Sequence, residues 1–219
     1  MNIFVESASL DEIRHAVLSG LADGVAVPDS DFSGRGSTEG SDLIESIAQE
    51  FAIPVCVGVE AIDGDEIYRQ ARDLVKISDH IIVQIPLVDD AIEPMHRLSL
   101  EGVDICASFV FTGAQAVLAA KAGASSVRVS LQDLDANGRT SADVITEIRG
   151  LLDAGRCECD VMVASPETST QFSECIGAGA QIVSIRPRVL HSLLLHPLTD
   201  RSVDRFLNNV NRRPKPASR

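Results

Sequence analysis

Eight short runs rich in apolar and β-branched residues recur along the chain: 2–6, 24–27, 54–59, 80–85, 104–109, 125–130, 160–164 and 181–185. The segments between them carry apolar residues three and four positions apart, the spacing of one helix face. Leu10, Ile13, Val17, Leu18 and Leu21 make such a face after an N-cap at Ser9, and Leu43, Ile44, Ile47 and Ala48 make another after Ser41. Further faces follow at Ile67, Ala71, Leu74 and Val75, in the Ala-rich segment 114–122, and at Val144, Ile145, Ile148, Leu151 and Leu152. A strand that reaches the next strand through a helix runs parallel to it. Eight such units predict an α/β fold, a (β/α)8 TIM barrel. The rival is a doubly wound open sheet. It needs a Gly-rich phosphate loop after the first strand, where this chain has Ser7-Ala8-Ser9.

The 219 residues are fewer than the roughly 250 typical of such barrels, which predicts short loops and no lid domain. Residues 1–211 read as a single barrel with a C-terminal helix, and 212–219 as a flexible basic tail. The Ser/Gly/Asp-rich stretch 29–40 is the one long flexible candidate. It follows the second strand, at the end where barrel active sites lie.

Composition narrows the partners. The formal net charge is −13, which disfavours nucleic acid or an anionic membrane surface as partner, since both need clustered Lys and Arg. Trp is absent and Tyr occurs once, too few aromatics for a base-stacking platform. No signal peptide and no apolar run near 20 residues is visible, and the odd count of five cysteines reads as reduced thiols, so a cytoplasmic location is expected. Cys157 and Cys159 form a lone C-x-C pair, a poor match to a zinc site. Cys56 and Cys106 lie in apolar runs as small core residues. No metal or cofactor is expected.

Several stretches resemble one family from end to end. They are Phe4-Val5-Glu6-Ser7-Ala8 with Asp11-Glu12-Ile13-Arg14, Asp23-Gly24-Val25, Ile82-Val83-Gln84-Ile85-Pro86, the run 118–124, Val163-Ala164-Ser165, Ala178-Gly179-Ala180 and His196-Pro197-Leu198-Thr199-Asp200. The chain is similar to the short-chain transaldolase / fructose-6-phosphate aldolase family. The resemblance implies reversible aldol cleavage of ketose phosphates, in which a lysine on the fourth strand forms a Schiff base and serves as electron sink. It also implies an acid on strand one, polar residues on strands three, five and six that hold a water, and a phosphate site after strands six and seven.

Carried over residue by residue, that pattern is broken. The Schiff-base lysine falls on Gln84, whose amide nitrogen is delocalised into its carbonyl and cannot attack a ketone. The acid falls on Glu6, one methylene longer. The Asn after strand two is lost, leaving Pro28-Asp29. The strand-three polar residue falls on Gly58, the strand-five Thr on Ser108, and the strand-six pair on Arg128 and Ser130. The phosphate Arg becomes Asp133; the phosphate Ser is kept as Ser165, but its basic partner becomes Glu167; a Pro ending strand eight becomes Arg186. Only Lys76, Lys121 and Lys215 remain as amines; Lys76 ends a helix, Lys121 lies inside one, and Lys215 is in the tail. His15, His96 and His191 read as helix residues, and His80 opens the fourth strand at the wrong end for a metal site.

The candidate chemistry follows. Glu6 is the general acid/base, with Gln84 and Ser108 beside it as catalytic candidates. Arg128 and Arg186 are new cations suited to a carboxylate or phosphate, with Ser130, Ser165 and Asp29 as further substrate-binding candidates. An enzyme acting on a small anionic, oxygenated, sugar-like molecule by lysine-independent chemistry is one reading. A transaldolase-like barrel that binds or scaffolds, its arginines paired to internal carboxylates, is the second. A true aldolase with an unrecognised nucleophile is the third. The resemblance further implies a homo-oligomer, a pentamer or decamer, with the C-terminal helix at 196–210 reaching a neighbour.

Overall fold

A computed structural model describes residues 1–28 and 37–211 of the chain. Eight parallel strands close into a barrel in sequence order: β1 (Asn2–Glu6), β2 (Gly24–Ala26), β3 (Val55–Gly58), β4 (Ile81–Pro86), β5 (Asp104–Ser108), β6 (Ser126–Ser130), β7 (Asp160–Ala164) and β8 (Ile182–Ile185). The last pairs with the first, Phe4 opposite Ser184, so no strand edge is left open. Around the barrel run α1 (Leu10–Leu18), α2 (Ser37–Glu50), α3 (Gly64–Val75), α4 (Ile92–Leu100), α5 (Gly113–Lys121), α6 (Leu131–Ala136), α7 (Ser141–Ala154), α8 (Ser169–Gly177) and α9 (Pro187–Ser192). A last helix, α10 (Pro197–Asn211), follows.

The strand alternation sorts side chains into two layers. One parity, including Val5, Val25, Val83, Ile105, Val127, Val163 and Ile185, packs with the helices into the main core. The other parity fills the barrel interior with Phe4, Ala26, Cys56, Cys106, Met162 and Ile182, a second apolar cluster. Gly24 is a consequence of that filling: a Cβ there would meet the Phe4 ring at 2.6 Å. Burying Phe4 contributes about 1.5–3 kcal/mol, and it needs the space that glycine leaves.

Strand ends depart from the sequence reading by a residue or so, for backbone reasons. Pro54 has no N–H to give to the ladder, so β3 begins at Val55, although the Pro54 carbonyl still accepts from Val25 N. His80 likewise only lends its carbonyl to Val55 N, and β4 starts at Ile81. Lys121 is the last residue of α5 rather than an interior one. The expected cap at Ser41 is corrected: α2 starts at Ser37, so 37–40 are its first turn and not loop. Residues 29–36, with Asp29 and Asp31, and the tail 212–219 lie outside the described residues. The Ser9 cap is found, its hydroxyl accepting from Glu12 N at 3.5 Å. Asp63, Thr112, Ser130 and Thr168 cap α3, α5, α6 and α8 in the same way, so several helices are anchored at the C-terminal mouth of the barrel.

No helix among the described residues is long and apolar enough to cross a membrane. Burial pushes the Cys159 thiol up to about 12 and the Cys175 thiol up to about 11, which keeps both protonated and unreactive at neutral pH.

Candidate active site

One strand step above the apolar interior the lining becomes polar. Glu6 lies two residues beyond Phe4, Ser108 two beyond Cys106, and Gln84 two beyond Ile82, so parity alone turns all three inward. Arg128 projects from β6 into the same space. Gln84 and Ser108 are 6% and 4% exposed. Together with Phe109, Ser130, Asp133, Ser165 and Arg186 they line a cavity of about 210 Å³ at the C-terminal ends of the strands.

A connected network fixes these groups. Ser165 Oγ donates to Glu6 Oε2 at 2.5 Å. Arg128 Nη2 reaches Glu6 Oε1 at 3.5 Å, while its Nη1 donates to Gln84 Oε1 at 2.5 Å. The Cys56 thiol also faces Gln84 Oε1, at 4.0 Å. Both oxygens of the Glu6 carboxylate are therefore engaged, and the Arg128 guanidinium bridges β6 to β1 and β4 across the barrel. Side-chain exposures of 12% for Arg128 and 9% for Glu6 make the pair a largely buried one in which each partner satisfies the other.

Other candidates differ in how they are committed. Arg186, half-buried at the end of β8, has no ion pair to any described residue. The Ser108 hydroxyl is buried without a hydrogen-bond partner among the described residues. Ser130 accepts from Asp133 N at 3.4 Å as the cap of α6, so its hydroxyl already has a structural task. Asp133 and Glu167 are exposed, and Glu167 accepts from Gln132 Nε2 at 3.2 Å. Asp29 lies outside the described residues. Lys76 points away from the barrel mouth, its Nζ 2.8 Å from Asp73, and Lys121 is exposed at the end of α5. Among the described residues no three His, Cys, Asp or Glu side chains converge as a metal cluster.

Two backbone features mark the site. Ser165 and Phe109 adopt φ of 56° and 60°, a region that bulky residues rarely enter. At Ser165 this conformation aims the hydroxyl at Glu6 while its N–H donates to Ser184 O at 2.8 Å. Phe109 was not singled out by the sequence: strict alternation after Ser108 points it at the helices, and only the left-handed backbone brings its ring to the mouth. No local motif signals that turn.

A closed parallel (β/α)8 barrel with converging polar groups at the C-terminal strand ends is the architecture of barrel enzymes. Residues 39–215 match the family described as Transaldolase/Fructose-6-phosphate aldolase, and the chain belongs to that family. A probable transaldolase of Petrotoga mobilis is 33% identical over 209 residues, covering 95% of this chain and 94% of the relative. A probable transaldolase of Methanococcus maripaludis (strain C7) is 34% identical over 210 residues, 94% and 96% of the two chains. One from Hyphomonas neptunium is 33% identical over 215 residues, 97% and 98%. Among solved structures, a cube-shaped, highly porous protein cage designed by fusing symmetric oligomeric domains matches at a TM-score of 0.63 and 14% identity, covering 95% of this chain and 76% of that one, which bears on the fold alone.

Proposed function

We propose that this barrel is an enzyme that works without a Schiff base, Gln84 standing where the family resemblance puts the reactive lysine. Its substrate is a small, anionic, oxygenated, sugar-like molecule. Glu6 moves the proton. The observation that carries the reading is Arg186: a cation at the mouth of a polar cavity, with no ion pair to a described residue, beside a carboxylate already held in place. It gives an anionic head group a bidentate partner. Ser108, its hydroxyl buried without a partner among the described residues, donates to a substrate oxygen, and Arg128 with Gln84 stabilises charge that develops there when Glu6 removes a proton from the neighbouring carbon. Lys76 and Lys121 both lie outside the cavity, which supports a lysine-independent route. The chain is further proposed to act as a homo-oligomer, a pentamer or decamer, in the cytoplasm, with nucleic acid and an anionic membrane surface disfavoured as partners by its net charge of −13.

The test is proton exchange. Wild type in D2O should wash deuterium into the carbon next to the carbonyl of pyruvate or hydroxypyruvate, followed by proton NMR. Glu6→Gln should abolish the exchange, and Arg186→Gln should raise the concentration needed for half-saturation. Binding of these acids without any exchange would favour the second reading, a barrel that binds or scaffolds. The Arg128–Glu6 pair is the observation on that side, since it satisfies one of the two new cations internally. An adduct trapped by borohydride on wild type would favour the third reading, an aldolase with another amine.

A further inference from the structure

The polar cavity has a neighbour. A second cavity of about 340 Å³ is lined by Val59, Glu60, Ala61, Ile62 and Pro86, and it shares Gln84, Ser108 and Phe109 with the first. The two are chambers of one mouth, with those three residues as the partition. We infer that the substrate carries a single anionic head, seated at Arg186, and a compact apolar substituent, best an aromatic ring, seated in this second chamber. The inference rests on the acid–base reading above and adds the shape of the molecule on which it operates.

Three observations support it. Much of the second chamber's wall is apolar: Ile62 is 70% exposed and Phe109 54% exposed, both beside buried Val59. Large apolar groups left in a concave rim are a site for an apolar ligand group. Size fits as well, since a cavity of roughly 150 Å³ already holds a benzene ring.

Phe109 supplies the second. Ala107 and Val110, to either side of the Ser108–Phe109 step, are fully buried, yet Phe109 leaves the core through a left-handed φ of 60°. The fold thus accepts a strained residue in order to stand an aromatic face between the two chambers. The third observation is charge. Glu60 rims the apolar chamber, with its N–H fixed to Gln70 Oε1 at 2.8 Å, and Asp133 lines the polar one. A second phosphate or carboxylate, extending in either direction from the head, meets a carboxylate. One anionic group is accommodated and two are not.

The experiment compares two acids with the same head, lactate and 3-phenyllactate, by titration calorimetry on the full chain, with malate, which adds a second carboxylate to that head, as the two-anion control. Wild type should bind 3-phenyllactate at least tenfold more tightly than lactate, and malate more weakly than lactate. Ile62→Asn, at an exposed position that should tolerate it, should bring the ratio of the two acids close to one without weakening lactate. Arg186→Gln should weaken both acids by a similar factor and leave their ratio. Equal affinity for the two acids in wild type overturns the apolar chamber while the anion reading stands. Malate binding more tightly than lactate overturns the single-anion head. A preference for the phenyl tail that survives Arg186→Gln with no loss of affinity sinks the anion reading and leaves the chamber. Binding of none of the three overturns both.

Discussion

Arg128 Nη1 donates to the side-chain oxygen of Gln84 at 2.5 Å, so the amide on β4 faces a guanidinium inside the barrel. Gln84→Lys would set an amine beside that cation. A neighbouring positive charge and burial both disfavour an ammonium, so the new amine should be largely neutral and nucleophilic at neutral pH. Borohydride reduction in the presence of dihydroxyacetone should trap an adduct on the variant and none on wild type, read by intact mass. Ketose phosphates should remain poor partners, because Asp133 and Glu167 stand near the mouth. An adduct on wild type would show an amine that the described residues do not reveal.

The Glu6–Arg128 pair is the next point of leverage. Removing the charge from Glu6 leaves Arg128, its side chain 12% exposed, with the neutral Gln84 as its remaining partner among the described residues. Glu6→Gln should therefore cost about 2–3 kcal/mol of stability. Adding Arg128→Met should restore more than half of that loss, because the orphaned charge leaves with its partner. Urea unfolding of the two single variants and the double variant reads the coupling; simple additivity would show that the pair is not energetically linked.

Ser165 joins a hydrogen bond to a left-handed backbone. Ser165→Ala removes the donor to Glu6 and retains the strained φ of 56°, so it should destabilise by about 1–2 kcal/mol. Ser165→Gly loses the same donor but relieves the backbone, and should be closer to wild type in stability. Both should slow proton exchange equally if the hydroxyl orients the Glu6 carboxylate. A glycine variant less stable than the alanine one would contradict the strain argument.

The barrel was legible because its signal is redundant. Eight β-branched runs, each a residue or so from its observed strand, leave few alternatives once helices separate them. Glu6, Gln84 and Ser108 were legible through the family resemblance, and period-two alternation above Phe4, Ile82 and Cys106 accounts for their inward direction. What the sequence did not reveal is how polar groups partition once they meet. Arg128 and Arg186 look equivalent as new cations, yet one spans the barrel to Glu6 and Gln84 and the other has no ion pair to a described residue. Ser130 looks like a mouth hydroxyl and is a helix cap. Phe109 depends on one backbone dihedral that no residue pattern specifies.

Outside the site, Glu101 clamps α3 to the end of α4. It accepts from Tyr68 Oη at 2.7 Å and from Arg72 Nη1 at 2.6 Å, with Arg97 stacked on the Tyr68 ring at 3.7 Å. The Tyr68 hydrogen bond first, then the Arg72 and Arg97 charges, hold its carboxyl below the usual range. A depressed folded value means that the stabilisation is present above the unfolded value of about 4.3 and fades as pH falls through the folded one. Glu101→Gln should lower Tm at pH 7, modestly for so exposed a cluster, and the difference from wild type should shrink below about pH 4. A difference independent of pH would assign the clamp to packing alone.

The C-terminal helix offers a test of assembly. Leu194, Leu195, Leu198, Val203, Phe206 and Leu207 are all exposed, and Val203, Phe206 and Leu207 share one face of α10 at i, i+3 and i+4. The proposed homo-oligomer would cover this stripe, most simply through a symmetric ring of copies of the chain. Phe206→Glu combined with Leu198→Glu should convert the assembled species to a smaller one in sedimentation velocity while the circular dichroism of the barrel stays unchanged, since neither side chain belongs to the core. An unaltered sedimentation coefficient in the double variant, or a wild type that sediments as a single chain, would rule out α10 as the assembling surface.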